Sequence, residues 1–385
     1  MKKSEAIERL SKMISPVYQD KALYDMMNMS DEEWELIIKV ANRHMLIPLL
    51  YASLKEKGCF PYIQDGQLLG YLKEMYKLNG YRNEKIIEQV KEITDLFYKK
   101  LAIETVLLKG VAALSESHYT TMGERFMMDI DLLVPEDKLY ATVTLLKENG
   151  YLEISDTPHK PDGHWHHYDR LYHKDKMTSV EIHRYALGQK STFVDVLEDK
   201  KYLSKSTLIP HSYVIEPTYE VIHSFLHTQI SHSYHKNYFL PLRHIQHASV
   251  MLEHYSDEID MTVIEKFMQD NHLSQIWDEY VYMMQKLFVL KFNFKEEEIK
   301  KVEGYYEGIQ KYLDTSHKTS LKSKLIYKKV QEVFSSYHLM DKYNYKSRNL
   351  TPLFVLIHFP VVVSKFVFKQ KSRDLLYTFV KTLSS

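Results

Sequence analysis

The spacing of apolar residues predicts helices in the first third of the chain. Between residues 30 and 100, apolar side chains recur every three or four positions, which is the period of an amphipathic helix. One helix is predicted to begin after Ser30 as its N-cap and to continue to a stop at Gly58. A second is predicted from about Asn83 to Lys100, with its apolar face in the core.

The pattern then changes to short strands that alternate with helices. IETVLL (103–108) and MMDIDLLV (127–134) predict strands, and a helical segment follows each of them. HWHHYDRLYH (164–173) and MTSVEIHRY (177–185) alternate polar and apolar residues and predict paired strands with a turn at Lys174-Asp175. From Thr218 to the end the pattern is helical again.

These patterns predict an α+β fold, in which a small mixed-sheet core is flanked by N-terminal and C-terminal helical regions. A chain of 385 residues is too long for one compact core, so domain boundaries are expected where the period changes. The predicted parts are an N-terminal helical region (1–80), the α/β core (81–190) and a mainly helical C-terminal domain (191–385).

Composition narrows the class of protein. Lys+Arg and Asp+Glu balance at 51 each, so the overall charge gives no signal for nucleic-acid binding. The single Cys59 excludes a disulfide framework and a cysteine zinc site, and it suits a reducing compartment. The first residues lack the continuous apolar stretch of a signal peptide, so a cytoplasmic protein is expected.

Two aspartates interrupt the apolar strand RFMMDIDLLV. Because side chains alternate along a strand, Asp129 and Asp131 point to the same face. Such close carboxylates repel each other unless a positive group lies between them, and Mg²⁺ prefers oxygen ligands of this kind. Alternatively, one aspartate pairs with Arg125 or a lysine and the other is solvated. The pair by itself leaves both interpretations open.

Two other segments favour the metal interpretation. At Lys109-Gly110 a predicted strand turns into a helix, and the free backbone N–H groups of such a turn suit phosphate, although an ordinary turn has the same sequence. In VEIHR, Glu181 and His183 share one strand face. If this strand lies beside the aspartate strand, three carboxylates converge and can hold two metal ions. Taken alone, Glu181 is equally an edge-strand charge.

The order of LLKGVAAL, GERFMMDIDLLV and VEIHR resembles the polymerase-β-like nucleotidyltransferase superfamily. Within it, the chain looks closest to the bacterial family of uncharacterised nucleotidyltransferases often found near polysaccharide-biosynthesis genes. The family pattern is met by Lys109, Gly110, Arg125, Asp129, Asp131, Glu181 and His183. The resemblance covers roughly residues 30–260. It departs at the phosphate turn, where Lys-Gly stands in place of the common Gly-Ser.

The resemblance implies a metal-dependent enzyme that moves a nucleoside monophosphate from an NTP, such as ATP, to a hydroxyl of an unknown acceptor. Asp129, Asp131 and Glu181 would hold Mg²⁺ or Mn²⁺, and Glu181 or its metal would help to deprotonate the acceptor. Lys109, Arg125 and the amides around Gly110 would neutralise the pyrophosphate. His183 would contact the nucleotide or the acceptor.

Two other functions are consistent with the same motifs. Glycosyltransferases also use Asp-x-Asp to hold a metal and a nucleotide-sugar, but they carry a longer α/β region ahead of it, where this chain has helices. A catalytically silent nucleotide-binding module on the same fold is the other alternative. An intact set of three carboxylates argues against it, because unpaired acids are costly to keep close together.

Three further signals carry less weight. The face with His164, His166, Tyr168 and Arg170 could line the acceptor pocket or belong to a solvated hairpin. His223 and His227 have zinc-like spacing without the metalloprotease glutamate, which favours ordinary core or surface histidines. The apolar segment 352–368 and its basic neighbours would suit weak contact with an anionic membrane surface, or else a buried helix pair broken at Pro360.

Overall fold

The computed structural model describes residues 1–153, 166–187 and 200–315. Its helices are α1 (Lys3–Met13), α2 (Ala22–Asp25), α3 (Asp31–Arg43), α4 (Ile47–Glu56), α5 (Gly66–Leu101), α6 (Lys109–Ser115), α7 (Leu139–Glu148), α8 (Pro217–Phe225), α9 (Leu242–His254), α10 (Met261–Asp270), α11 (Ser274–Phe288) and α12 (Glu296–Thr315). Its strands are β1 (Thr105–Leu107), β2 (Asp129–Leu133), β3 (Leu152–Glu153), β4 (Leu171–Tyr172), β5 (Ser179–His183), β6 (Leu203–Lys205) and β7 (Ser212–Ile215). Residues Met1–Lys311 form one compact unit.

The strands form one mixed sheet in the order β3-β4-β5-β2-β1-β7-β6. β2 runs parallel to β5 and antiparallel to β1, and β1 runs parallel to β7. Helices precede and follow this sheet along the chain, so the predicted α+β class is confirmed. Strands β6 and β7 were not predicted, because they are short and lie close to the change back to a helical period.

At the β2–β5 pair, one face of the sheet is apolar and the other carries acidic residues. Ile130 and Leu132 of β2, and Val180 and Ile182 of β5, are fully buried in the core. Since the side chains alternate, the acidic residues between them lie on the other face. The pair is in register with Asp131 opposite Glu181, so the predicted adjacency of these two strands is confirmed.

The helices observed in the first third of the chain agree in part with those predicted from the sequence. Ser30 caps α3, and Glu33 completes the capping box, as the N-cap prediction requires. The predicted single helix to Gly58 is wrong, because α3 ends at Arg43 and Met45 adopts a left-handed conformation with φ of 58° before α4. The next helix is longer than predicted, since Asp65 caps α5 far upstream of Asn83.

The predicted hairpin is present between β4 and β5. These strands are antiparallel, and the turn at Lys174-Asp175 between them is confirmed. His164, at the start of the predicted hairpin, lies outside the described residues, as does the apolar segment 352–368. None of the helices within residues 1–153, 166–187 and 200–315 is long and apolar enough to cross a membrane.

Candidate functional site

Three carboxylates meet at the β2–β5 pair around one guanidinium. Arg170 Nε donates to Glu181 Oε1 at 2.5 Å, and its Nη2 donates to Asp129 Oδ2 at 2.7 Å. Asp131 lies directly opposite Glu181 in the register and is only 2% exposed, whereas Asp129 is half-buried. The three acids therefore converge on one face of the sheet, as the strand alternation predicts.

The most buried of these acids, Asp131, has two basic partners on the same oxygen. Lys109 Nζ donates to Asp131 Oδ1 at 2.7 Å, and His183 Nε2 lies 2.9 Å from that atom. His183 Nε2 is also 3.7 Å from Glu181 Oε2. One ligand atom from each of Asp131, Glu181 and His183 can be chosen so that all lie within 4.8 Å of one another, close enough to hold a metal ion.

The turn after β1 places Lys109 beside Asp131. Leu108 N–H donates to Asp131 O at 3.1 Å, which fixes the end of β1 against β2. Lys109 itself has a φ of 55°, a left-handed conformation that is uncommon for non-glycine residues and that turns the chain sharply from β1 into α6. A Cβ on Gly110 would lie 2.9 Å from Met127 Cγ, so a glycine is needed there for close packing. This packing explains Gly110 without any phosphate.

Opposite charges keep two of the acids ionised. Burial acts to raise the pKa of Asp131, but the charge of Lys109 and the hydrogen bond with His183 outweigh it and lower the pKa. Burial likewise opposes ionisation of Glu181, yet the nearby His183 and the hydrogen bond from Arg170 bring its pKa to about 2. Both side chains are therefore anionic and ready to accept a cation at any ordinary pH.

The pKa of Asp129 is shifted in the opposite direction, so we expect the stability of the folded protein to depend on pH. Burial, followed by the charges of Asp131 and Glu181, raises the pKa from 3.8 to about 6. Between these two pH values the folded state binds more protons than the unfolded state. The contribution of Asp129 to the stability of the folded state is therefore complete below pH 3.8, and it is lost as the pH rises through about 6. A difference of this size between the folded and unfolded pKa corresponds to about 2–3 kcal/mol of stability.

Chemical unfolding in EDTA at about pH 4 and about pH 7, compared with Asp129→Asn, measures this effect. The free energy of unfolding should fall further in the wild type than in the variant over this interval. Equal pH dependence in the two proteins would show that Asp129 ionises freely in the folded state.

Among the predicted basic side chains, Arg125 makes no hydrogen bond or ion pair with the carboxylates in the part of the chain that is described, whereas Lys109 and His183 both contact Asp131. Its backbone carbonyl accepts from Asn83 Nδ2 at 2.6 Å and from Asn79 Nδ2 at 3.1 Å, which ties it to α5. Its guanidinium lies 6.0 Å from the centre of the Tyr119 ring. Lys109, Asp129, Asp131, Glu181 and His183 are brought together, and Gly110 lies next to Lys109.

Arg170 is a site residue whose place among the acids the sequence patterns did not predict. The sequence patterns group Arg170 with the histidines of the predicted hairpin instead. The antiparallel pairing of Leu171 with Val180 brings Arg170 beside Glu181, and that register could have been inferred from the turn at Lys174-Asp175. His166 borders the site as well, because its ring centre lies 5.6 Å from that of His183.

The two histidines with zinc-like spacing are a buried histidine, His223, and a partly buried one, His227. His223 Nδ1 lies 3.3 Å from Glu220 Oε2 and its Nε2 lies 3.4 Å from Ala186 O. Over the described ranges, no group of potential metal ligands includes His223 or His227.

This architecture defines an α+β protein with a carboxylate cluster at the centre of a mixed sheet, and the cluster contains a group of residues that could hold a metal ion. The model of the uncharacterised nucleotidyltransferase family matches residues 30–289, and the chain belongs to that family. The match includes the whole site and the helices α3 to α11 around it. No curated protein matches the chain. Membership of the family supports transfer of a nucleotidyl group as the activity.

Proposed function

We propose that the protein transfers a nucleoside monophosphate from an NTP to a hydroxyl group of an acceptor, in a reaction that depends on divalent metal ions. The observation that carries the proposal is the convergence of Asp131, Glu181 and His183, with Asp129 beside them, in a member of a nucleotidyltransferase family. The mechanism proposed is that of the polymerase-β-like enzymes, which use two metal ions.

The donor set suits Mg²⁺ or Mn²⁺. Asp129, Asp131 and Glu181 offer carboxylate oxygens, which hard divalent cations prefer, and His183 would orient Asp131 through the hydrogen bond it makes now. Arg170 takes the place of a cation between Asp129 and Glu181 and is itself half exposed, so it can move away. A metal ion bound here supplies positive charge to the triphosphate and to the developing alkoxide.

The chain's own groups have separable tasks in the reaction. The acceptor oxygen forms a bond to the α-phosphorus, the bond from that phosphorus to the bridging oxygen breaks, and pyrophosphate leaves with the electron pair. Lys109 and Arg125 neutralise the charge that pyrophosphate gains. Glu181, with a pKa of about 2, is better suited to hold a cation than to take the acceptor's proton, which therefore passes to solvent or to Asp129.

The glycosyltransferase alternative gains no support from the fold. Five helices, α1 to α5, precede the first strand of the sheet, where a nucleotide-sugar enzyme has a longer α/β region.

A measurement of activity decides between the proposed enzyme and a catalytically silent nucleotide-binding module. Mass spectrometry of the products, after incubation with each NTP and a cell extract, should show an acceptor whose mass has increased by one nucleoside monophosphate. If no NTP yields such a product, the proposed transfer is wrong.

We expect NTP binding to require a divalent metal and to fall sharply in Asp129→Asn. The reason is that the carboxylates hold the metal, and the metal in turn holds the phosphates. Calorimetric titration with and without Mg²⁺ should show the difference. Asp137→Asn, which makes the same chemical change at an exposed aspartate paired with Lys138, is the matched control and should bind normally. Equal affinity with and without metal would contradict the expected metal dependence.

A further inference from the structure

Arg125 is a buried cation that lacks an ion-pair partner among residues 1–153, 166–187 and 200–315. The residue is 6% exposed, and neither Nε nor Nη1 of its guanidinium has a hydrogen-bond partner within these ranges. Its described contact is with the face of the Tyr119 ring. A charge buried in this way destabilises the protein unless an anion or water meets it.

A second guanidinium without a carboxylate partner in the described ranges lies close by on α9. Within those ranges, Arg243 Nη1 makes a hydrogen bond to Met45 Sδ, at 3.0 Å, and thioether sulfur is a weak acceptor. Arg243 and His247 are four residues apart on α9 and so share one face of the helix. His247 Nδ1 lies 3.2 Å from Tyr119 Oη, and Tyr119 carries Arg125 over its ring. The two arginines therefore border the same interior region.

The surrounding charges connect this region to the carboxylate site. Burial, followed by the positive charge of Arg125, lowers the pKa of Arg243 to about 10, and Asp129 acts on Arg243 in the opposite direction. His244, next to Arg243 on α9, has its pKa lowered by burial and by both arginines, and Lys109 adds to the effect. Arg243 is thus close enough to feel both Arg125 and the acids.

We propose that Arg125 and Arg243 together bind the terminal phosphates of the nucleoside triphosphate. This inference rests on the proposed function, and it adds to nucleotide binding a residue from α9, a helix that follows the sheet in the chain. Two guanidiniums that repel each other in a buried place are stabilised by a polyvalent anion, and the planar donor arrays of arginine match phosphate oxygens. Lys109, next to the acids, would hold the same phosphates nearer to the reacting bond.

The test uses the full-length protein and inorganic tripolyphosphate in EDTA, so that no metal takes part. Calorimetry should show binding to the wild type and affinity about 10- to 100-fold weaker in Arg243→Gln, the size expected for lost charge-assisted hydrogen bonds. Arg243→Lys keeps the charge without the planar donors and should lie between the two. Lys39→Gln removes an exposed cation paired with Glu35 on α3 and should bind as the wild type does.

Stability without any anion separates this role from a structural one. Because Arg243→Gln removes the repulsion from Arg125, its unfolding temperature should equal or exceed that of the wild type. A lower unfolding temperature would make Arg243 a structural residue and overturn the proposal. So would a wild type that binds no tripolyphosphate, or Arg243→Gln binding it normally.

Competition identifies the phosphates concerned. An NTP added with Mg²⁺ should displace tripolyphosphate, because both use the same two arginines. Simultaneous binding of both would assign the arginines to another anion and overturn the proposal. If tripolyphosphate binds through Arg243 but no nucleotide is ever transferred, the proposed function alone is wrong.

Discussion

Asp131→Asn is expected to reduce nucleotidyl transfer by about 10³-fold or more, because a metal ligand contributes several kcal/mol to charge stabilisation in the transition state. Asp131 is the acid with the most partners in the site. It is buried, and its Oδ1 lies within hydrogen-bond distance of both Lys109 and His183. An asparagine of the same size removes the negative charge, so both metal-dependent NTP affinity and turnover should fall. A labelled-NTP transfer assay beside a binding titration measures the two effects.

The same substitution leaves Lys109 and His183 without their anion, so folding has to be checked separately. Thermal unfolding of Asp131→Asn in EDTA gives that control, and the double variant with Lys109→Met removes the orphaned charge. The double variant should regain stability without regaining activity. A folded Asp131→Asn protein that transfers nucleotide at the wild-type rate would show that Asp131 is only a partner for Lys109.

The central part of the site could be predicted because it depends on local rules. The two-residue period of a strand places Asp129 and Asp131 on one face, and places Glu181 and His183 on one face of their own strand. The apolar residues between them are buried on the other face, which also fixes the register. Only the pairing of the two strands was conditional in the sequence, and the sheet contains it.

What could not be predicted depends on contacts between distant segments. The pairing of β7 with β1 joins segments that are far apart in the chain, and no local pattern encodes it. The break at Met45 lies within a continuous helical period, so the sequence favoured an unbroken helix there. No sequence pattern singles out Arg243, because its relation to Arg125 arises only when His247 on the same face of α9 packs against Tyr119.

The roles of the acids are best separated at Glu181. It opposes Asp131 across the β2–β5 pair, and it is held by Arg170 at 2.5 Å and by His183 at 3.7 Å. Glu181→Gln retains an oxygen that can accept from Arg170, so the local structure should persist. In the proposed mechanism, the removed charge serves the acceptor side, where an interaction has most value in the transition state.

Glu181→Gln should therefore keep near-normal NTP affinity while losing about 10²-fold or more in transfer rate, the size of a lost metal-ligand contribution to the transition state. Binding titration and single-turnover transfer with labelled NTP measure the two quantities separately. Glu136→Gln makes the same change at an exposed glutamate paired with Arg184, and it should leave both quantities unchanged. If Glu181→Gln transfers at the wild-type rate, Glu181 is only a strand charge neutralised by Arg170, and the acids of β2 hold the metal without it.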